Sequence, residues 1–194
     1  MKKQLKKQLS RYLKQVERKA FDNSEILKKE EIAVIYGYTD DEYESLNERL
    51  RKKNGEIDTE FGRELDRILA KLPNFEGFAF RGTMLSSKHL EIYKEAFEFD
   101  KAVTEPTFLS TSRVEAIARM YMRLSRDSHQ VLFKIFCKQG KSIEKYSKFD
   151  SLSGQNEKEI LFRPNTQFEI VDIDTSNTSI IIITLNEIIK NGTT

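Results

Sequence analysis

Residues 59–83 read TEFGRELDRILAKLPNFEGFAFRGT, and the hydrophobic period changes in the middle of them. Before Pro73, Phe61, Leu65, Ile68 and Leu69 recur at three and four, the stripe of an amphipathic helix. Asp58 or Thr59 starts that helix, and Pro73 ends it by disfavouring helical backbone in the residue before it. After Pro73, Phe75 to Thr83 reads as a strand. The switch divides the chain into helices behind and strands ahead, an α+β architecture with a helical lobe and a mostly antiparallel sheet stack.

Towards the N-terminus, Leu5, Leu9, Tyr12, Leu13 and Val16 form one apolar stripe on a basic helix. That face packs on the domain and leaves a solvated Lys/Arg face; a surface for anionic lipid or nucleic acid is the alternative. No aromatic residue interleaves with the lysines, which disfavours nucleic acid. Asn23 or Ser24 is expected to cap a second helix carrying Ile26, Leu27, Ile32, Ala33 and Ile35, with Gly37 interrupting it. Thr39 is expected to cap a third, from Asp40 to about Lys53, closed by Asn54-Gly55.

Towards the C-terminus, Ser86 or Ser87 caps a short helix to about Glu98. Thr107 to Ser112 reads as a strand, Val114 to Ser125 as a helix and Gln130 to Cys137 as a third strand. Residues 138–156 read mostly as loop, with Gly140 and Ser153-Gly154 as turn signals. Lys158 to Arg163, Gln167 to Asp174 and Ser179 to Glu187 are the last strands, six in all. The expected organisation is a single domain over 1–194, with a helical lobe at 1–72 and a β-rich core at 73–190.

The 194 residues carry 33 Lys+Arg against 31 Asp+Glu, so a net charge of +2 gives no polyelectrolyte signal for nucleic acid. One cysteine, Cys137, excludes a disulfide framework and a Cys-based zinc site, and two histidines leave no His-rich metal site. His89 and His129 sit in polar surroundings, and Cys137 ends an apolar strand as a buried small hydrophobe. The N-terminus has no apolar block of a secretory signal, and the most apolar run, Ile180 to Leu185, falls far short of the ~20 residues of a spanning helix. The chain is expected to be cytoplasmic, or delivered into a target cell by another machine or within a larger protein.

Three segments carry chemistry. In Phe80-Arg81-Gly82-Thr83 an arginine sits on a strand among apolar residues, where packing does not call for it. Its rigid fork matches phosphate or carboxylate oxygens, and Gly82 allows close approach. Phe108-Leu109-Ser110-Thr111-Ser112 places hydroxyls at a strand end. In Gln155-Asn156-Glu157-Lys158-Glu159 the two glutamates, at i and i+2 of a strand, would lie side by side, so one of them takes a raised pKa unless a cation intervenes. Each segment alone has an ordinary structural explanation as an ion pair, a helix cap or an exposed strand.

Together, Arg…Ser-Thr-Ser…Glu-x-Glu, each on its own strand, resembles the Arg–Ser–Glu class of mono-ADP-ribosyltransferases, with the two-glutamate signature of arginine modifiers of the bacterial toxin and exoenzyme type. Ile160 to Phe168 looks like that family's closing hairpin, and Tyr38-Thr39, Tyr43 and Asn47 are similar to the helix bordering its NAD site. The resemblance implies a split, mostly antiparallel β-sandwich beside the helical lobe. It implies that Arg81 holds the NAD pyrophosphate and that Ser110 orients Glu159, the catalytic glutamate at the nicotinamide ribose. Glu157 receives the acceptor guanidinium. Tyr38, Tyr43 and Asn47 line the phosphate and ribose side, with Gly82, Thr111 and Ser112 also contributing, and Tyr121 is the candidate that stacks on nicotinamide. The sequence departs from the family in lacking an aromatic residue just before the glutamates: Tyr146 and Phe149 lie further back.

NAD is consumed as substrate in such chemistry, with no metal. The implied partner is a protein bearing an acceptor arginine, with an antidote protein as a further candidate; integral membrane association and nucleic-acid binding are not expected. Two alternatives stand: NAD glycohydrolysis, or transfer to another acceptor including nucleic acid; and a non-enzymatic binding module using the basic first helix. A glycosidase ranks below these, because its carboxylates face each other across the substrate.

Overall fold

The computed structural model describes residues 3–18, 26–122, 128–150, 155–177 and 179–189. Helix α1 spans Lys3–Arg18, α2 Lys29–Gly37, α3 Tyr43–Lys52 and α4 Glu60–Leu69. Leu5, Leu9, Tyr12 and Val16 of α1 are buried, as are Leu65, Ile68 and Leu69 of α4. Each such side chain contributes roughly 1.5–3 kcal/mol through loss of contact with water. The basic face of α1 remains exposed.

Gly37 does not interrupt the helix, contrary to expectation. The chain runs from α2 through a π-helical turn, Tyr38–Glu42, into α3. A Cβ on Gly37 would stand 2.6 Å from the Tyr12 ring, so the glycine is where α1 crosses α2 closely. Thr39 is not a cap: its hydroxyl donates to the Tyr36 carbonyl (3.0 Å) and accepts the Lys148 N–H (2.8 Å). Tyr12 and Arg11 reach the same turn, Tyr12 through Glu42 (2.9 Å) and Arg11 through Asp41 (2.6 Å). The expected cap at Asn23 or Ser24 lies outside the described residues. The described start of α2 uses Lys28, whose N–H donates to the Glu31 carboxylate at 3.1 Å. Asn54 and Gly55 close α3 with positive φ, and the Thr59 hydroxyl caps α4 by accepting the Gly62 N–H at 3.0 Å.

Strand β1 is Asn74–Ser86, followed by α5 (Ser87–Glu98), β2 (Val103–Glu105), β3 (Leu109–Ser112) and α6 (Glu115–Arg119). Strands β4 (Ser128–Ser142), β5 (Glu159–Phe162), β6 (Thr166–Asp174) and β7 (Ile181–Ile188) complete the order. Five strands run β1–β4–β7–β6–β2 side by side. The short pair β3–β5 arches from β1, where Ser112 faces Phe80, to the end of β4, where Ile160 faces Ser142. β4 and β7 are parallel, and the other pairings among the described residues are antiparallel. This is the expected α+β arrangement of N-terminal helices and a mostly antiparallel β core. One apolar cluster fills the helical side and takes in Phe108, Ile143 and Leu161; the other lies among the strands and includes Cys137.

Four expectations need correction. There are seven described strands, because the three-residue β2 is too short for an alternating pattern. β4 runs to Ser142, with Gly140 inside it opposite Phe75, so the loop begins later than residue 138. α6 ends at Arg119, and Tyr121 and Met122 continue as turns on the Ala118 and Arg119 carbonyls; residues 123–125 of the expected helix lie outside the described residues. Finally, β5 begins at Glu159. Lys158 has φ +52°, and its N–H donates to the Asn156 side chain at 2.9 Å, so strand alternation does not reach Glu157. The turn signal Ser153-Gly154 lies outside the described residues.

Candidate active site

Arg81, Ser110 and Glu159 come from three strands and form one hydrogen-bonded chain. The Arg81 Nη1 donates to the Ser110 carbonyl at 2.7 Å, and the Ser110 hydroxyl donates to Glu159 Oε1 at 2.6 Å. The register explains the second bond. Ser110 faces Leu161 across the β3–β5 pair, so Glu159, two residues earlier, is its diagonal neighbour on the same face. Ser112 shares that face; its hydroxyl donates to the Glu157 carbonyl at 2.6 Å and accepts the Val114 N–H at 3.0 Å. Thr111 points the other way and donates to the Ile160 carbonyl at 2.7 Å.

Glu159 is 3% exposed. Burial pushes its carboxyl up to about 7; the Ser110 hydroxyl opposes the rise, Glu157 adds to it and Arg81 opposes it. The like charge expected to dominate is thus secondary to desolvation. Glu157 sits further out, and its Oε1 accepts the phenol of Tyr121. That phenol is pushed up by burial and by the carboxylate it bonds.

A cavity of about 260 Å³ is lined by Phe80, Arg81, Gly82, Thr83 and Met84 of β1, by Ser110, Thr111 and Ser112, and by Ala118, Tyr121 and Glu157. Seven of the eleven site residues read from the sequence line it, and Glu159 stands behind Ser110. Gly82 makes its room for the protein's own backbone: a Cβ there would meet the Ala118 carbonyl oxygen of α6 at 2.0 Å. Tyr38, Tyr43 and Asn47 are not among the described lining residues. Asn47 acts as a substitute strand partner for Phe108, accepting its N–H and donating to its carbonyl, both at 3.1 Å. Tyr38 is buried and donates to the same carbonyl at 3.2 Å. Both therefore hold the entry to β3 and, through it, Ser110. Tyr43 is half-exposed.

Sequence reasoning missed Phe80, Thr83, Met84 and Ala118 as lining residues; the first three flank Arg81 on its strand and could have been found by that adjacency. A larger groove, about 370 Å³, lies among α1, α3 and α4, but its arginine, Arg49, is already paired with Asp58 at 2.6 Å. Among the described residues no three His, Cys, Asp or Glu side chains converge as a metal cage would, and no helix is long and apolar enough to cross a membrane.

A strand-borne guanidinium, a serine hydrogen-bonded to a buried carboxylate, and a second carboxylate lining the cavity stand together in the order Arg, Ser, Glu in which the sequence offers them. The ADP-ribosyltransferase exoenzyme family matches residues 2–190, and the chain belongs to that family. The NAD(+)–protein-arginine ADP-ribosyltransferase Tre1 of Serratia proteamaculans is 31% identical over 175 residues, 88% of this chain and 32% of that protein. Vis of Vibrio splendidus is 30% identical over 151 residues, 70% of this chain and 56% of that protein. The chain thus spans about a third and just over half of the length of these relatives. The crystal structure of the ADP-ribosyltransferase HopU1 of Pseudomonas syringae superposes with a TM-score of 0.76 at 18% identity, over 97% of this chain and 98% of that one. That of Vis with agmatine gives 0.69 at 20% identity, over 100% and 89%.

Proposed function

We propose that the chain transfers ADP-ribose from NAD to an arginine of a target protein, releasing nicotinamide, and acts as an effector or toxin. The observation that carries this reading is the Arg81–Ser110–Glu159 hydrogen-bonded chain opening into a cavity that also holds Glu157. The relatives named for protein-arginine transfer support the choice of acceptor.

The chemistry follows from the groups. Breaking the C1′–N bond sends its electron pair to nicotinamide and leaves positive charge at C1′, as in glycoside cleavage. A fixed carboxylate in a water-poor site stabilises that charge more than solvent would. Glu159 has this role, with Ser110 fixing its orientation and favouring its ionised form. The approaching cation favours ionisation further, since opposite charge stabilises the carboxylate. Arg81 offers its remaining N–H donors to the pyrophosphate. An acceptor arginine nitrogen then bonds C1′ and gives up a proton, for which Glu157 is the nearest outer carboxylate.

The test is incubation with adenylate-labelled NAD and a host-cell lysate. The reading predicts free nicotinamide and label on protein that hydroxylamine removes and that maps to arginine. Nicotinamide release without labelled protein would point to water as acceptor. Absence of nicotinamide release would leave the binding-module alternative.

A further inference from the structure

Lys158 lies between the two glutamates in sequence and Arg113 follows Ser112, so two cations border a site that must attract a third, the acceptor guanidinium. Neither cation is paired with Glu157 or Glu159 in the structure. Both go to Glu144. Its Oε1 accepts from Lys158 Nζ at 2.6 Å and from Asn156 Nδ2 at 2.8 Å, and its Oε2 accepts from Arg113 Nη2. The Glu144 side chain is 16% exposed. The next-door Ile143 N–H donates to the Glu159 carbonyl at 3.1 Å, which fixes Glu144 alongside the start of β5.

The backbone is arranged to the same end. The Arg113 N–H donates to the Lys158 carbonyl at 3.0 Å, and the Asn156 side chain accepts the Lys158 N–H. These bonds support the left-handed backbone at Lys158, φ +52°. That conformation breaks strand alternation between Glu157 and Glu159 and carries the Lys158 side chain to Glu144 while Glu157 stays on the cavity. Burial would raise the Glu144 carboxyl, but the donors of Lys158, Asn156 and Arg113 outweigh it and hold it below the usual range.

We propose that Glu144 is a positioning residue of the acceptor side: it sequesters the Lys158 ammonium and the Arg113 guanidinium, so that Glu157 and Glu159 keep their negative field for the incoming arginine. The inference rests on the arginine-transfer reading above. Without Glu144, Lys158 is within a side chain's reach of the carboxylate beside it, and a pre-formed pair there opposes a second cation.

The test uses the full chain, with NAD hydrolysis measured without acceptor and transfer measured to agmatine as a small guanidinium probe. Glu144→Gln keeps the shape and removes the charge. It should leave hydrolysis within about twofold of wild type and raise the KM for agmatine about tenfold. Adding Lys158→Met should bring that KM back to within about threefold of wild type, and Lys158→Met alone should not raise it. An unchanged KM in Glu144→Gln, a rise that Lys158→Met does not relieve, or equal loss of both activities would overturn the inference while the arginine reading stood. Should agmatine not be an acceptor, the same variants are compared on the protein labelled in lysate; if the wild-type chain labelled neither, the underlying reading would fail first and this inference with it.

Discussion

Glu159 and Glu157 are two residues apart and are held by different means. Glu159 opens a strand, is buried, and is tied to Ser110 through a register shared by β3 and β5. Glu157 precedes a left-handed residue. Its carbonyl is held by Ser112, and its side chain faces the cavity beside Tyr121. One half of the site is built on ladders of backbone hydrogen bonds, the other on a turn whose Lys158, with Arg113 from the end of β3, converges on Glu144. On the proposed function, bond cleavage falls to the charge that strands hold fixed, and acceptor choice falls to the turn, which is less constrained than a strand.

The sharpest separation of the halves is Glu159→Gln, which should lower both NAD hydrolysis and transfer by roughly 10²–10³-fold, since the transition-state charge loses its partner. Steady-state nicotinamide release checks this; retention of either activity would move the catalytic role elsewhere. Next, Glu157→Gln should lower transfer to agmatine by about 10²-fold while hydrolysis stays within about tenfold, the range of a lost general base. Equal loss of both would erase the division.

A smaller effect appears in pH profiles. With the Glu159 carboxyl near 7, kcat/KM for NAD hydrolysis should fall as pH drops through that value. The Ser110 hydroxyl lowers that pKa, so Ser110→Ala should move the limb to higher pH. A limb that stayed or moved down would contradict the orientation assigned to Ser110. The smallest effect is on stability. A carboxyl raised from 4.5 to about 7 in the fold contributes stability that is full below 4.5 and lost as pH rises through 7. At pH 8 the buried charge is a cost, so Glu159→Gln should be more stable than wild type by about 1–3 kcal/mol, and the gain should vanish near pH 4. Thermal melts at the two pH values measure it.

The same contrast explains what the sequence made legible. Arg81, Ser110 and Glu159 stand on apolar strands whose period is readable, so their convergence followed from the order of strands and the family resemblance. The turn at Lys158 was not read, although Asn156 two residues earlier is the residue type that accepts such an N–H. Glu144 carries no local signal, because its partners lie 12, 14 and 31 positions away in the chain. The helix through Gly37 was misread because glycine breaks helices by default, while here a neighbouring Tyr12 ring occupies the space a side chain would take. After Arg119, where α6 ends, the backbone turns, Tyr121 meets Glu157 and Met122 lies over Gly82.

A crystal structure of Glu159→Gln with NAD tests the central claim most directly, because the variant should bind the dinucleotide without consuming it. The pyrophosphate should lie on Arg81 and the nicotinamide ribose beside residue 159, both within the cleft that holds Glu157. A dinucleotide bound with Arg81 and residue 159 on separate surfaces, or seated in the groove among α1, α3 and α4, would contradict it.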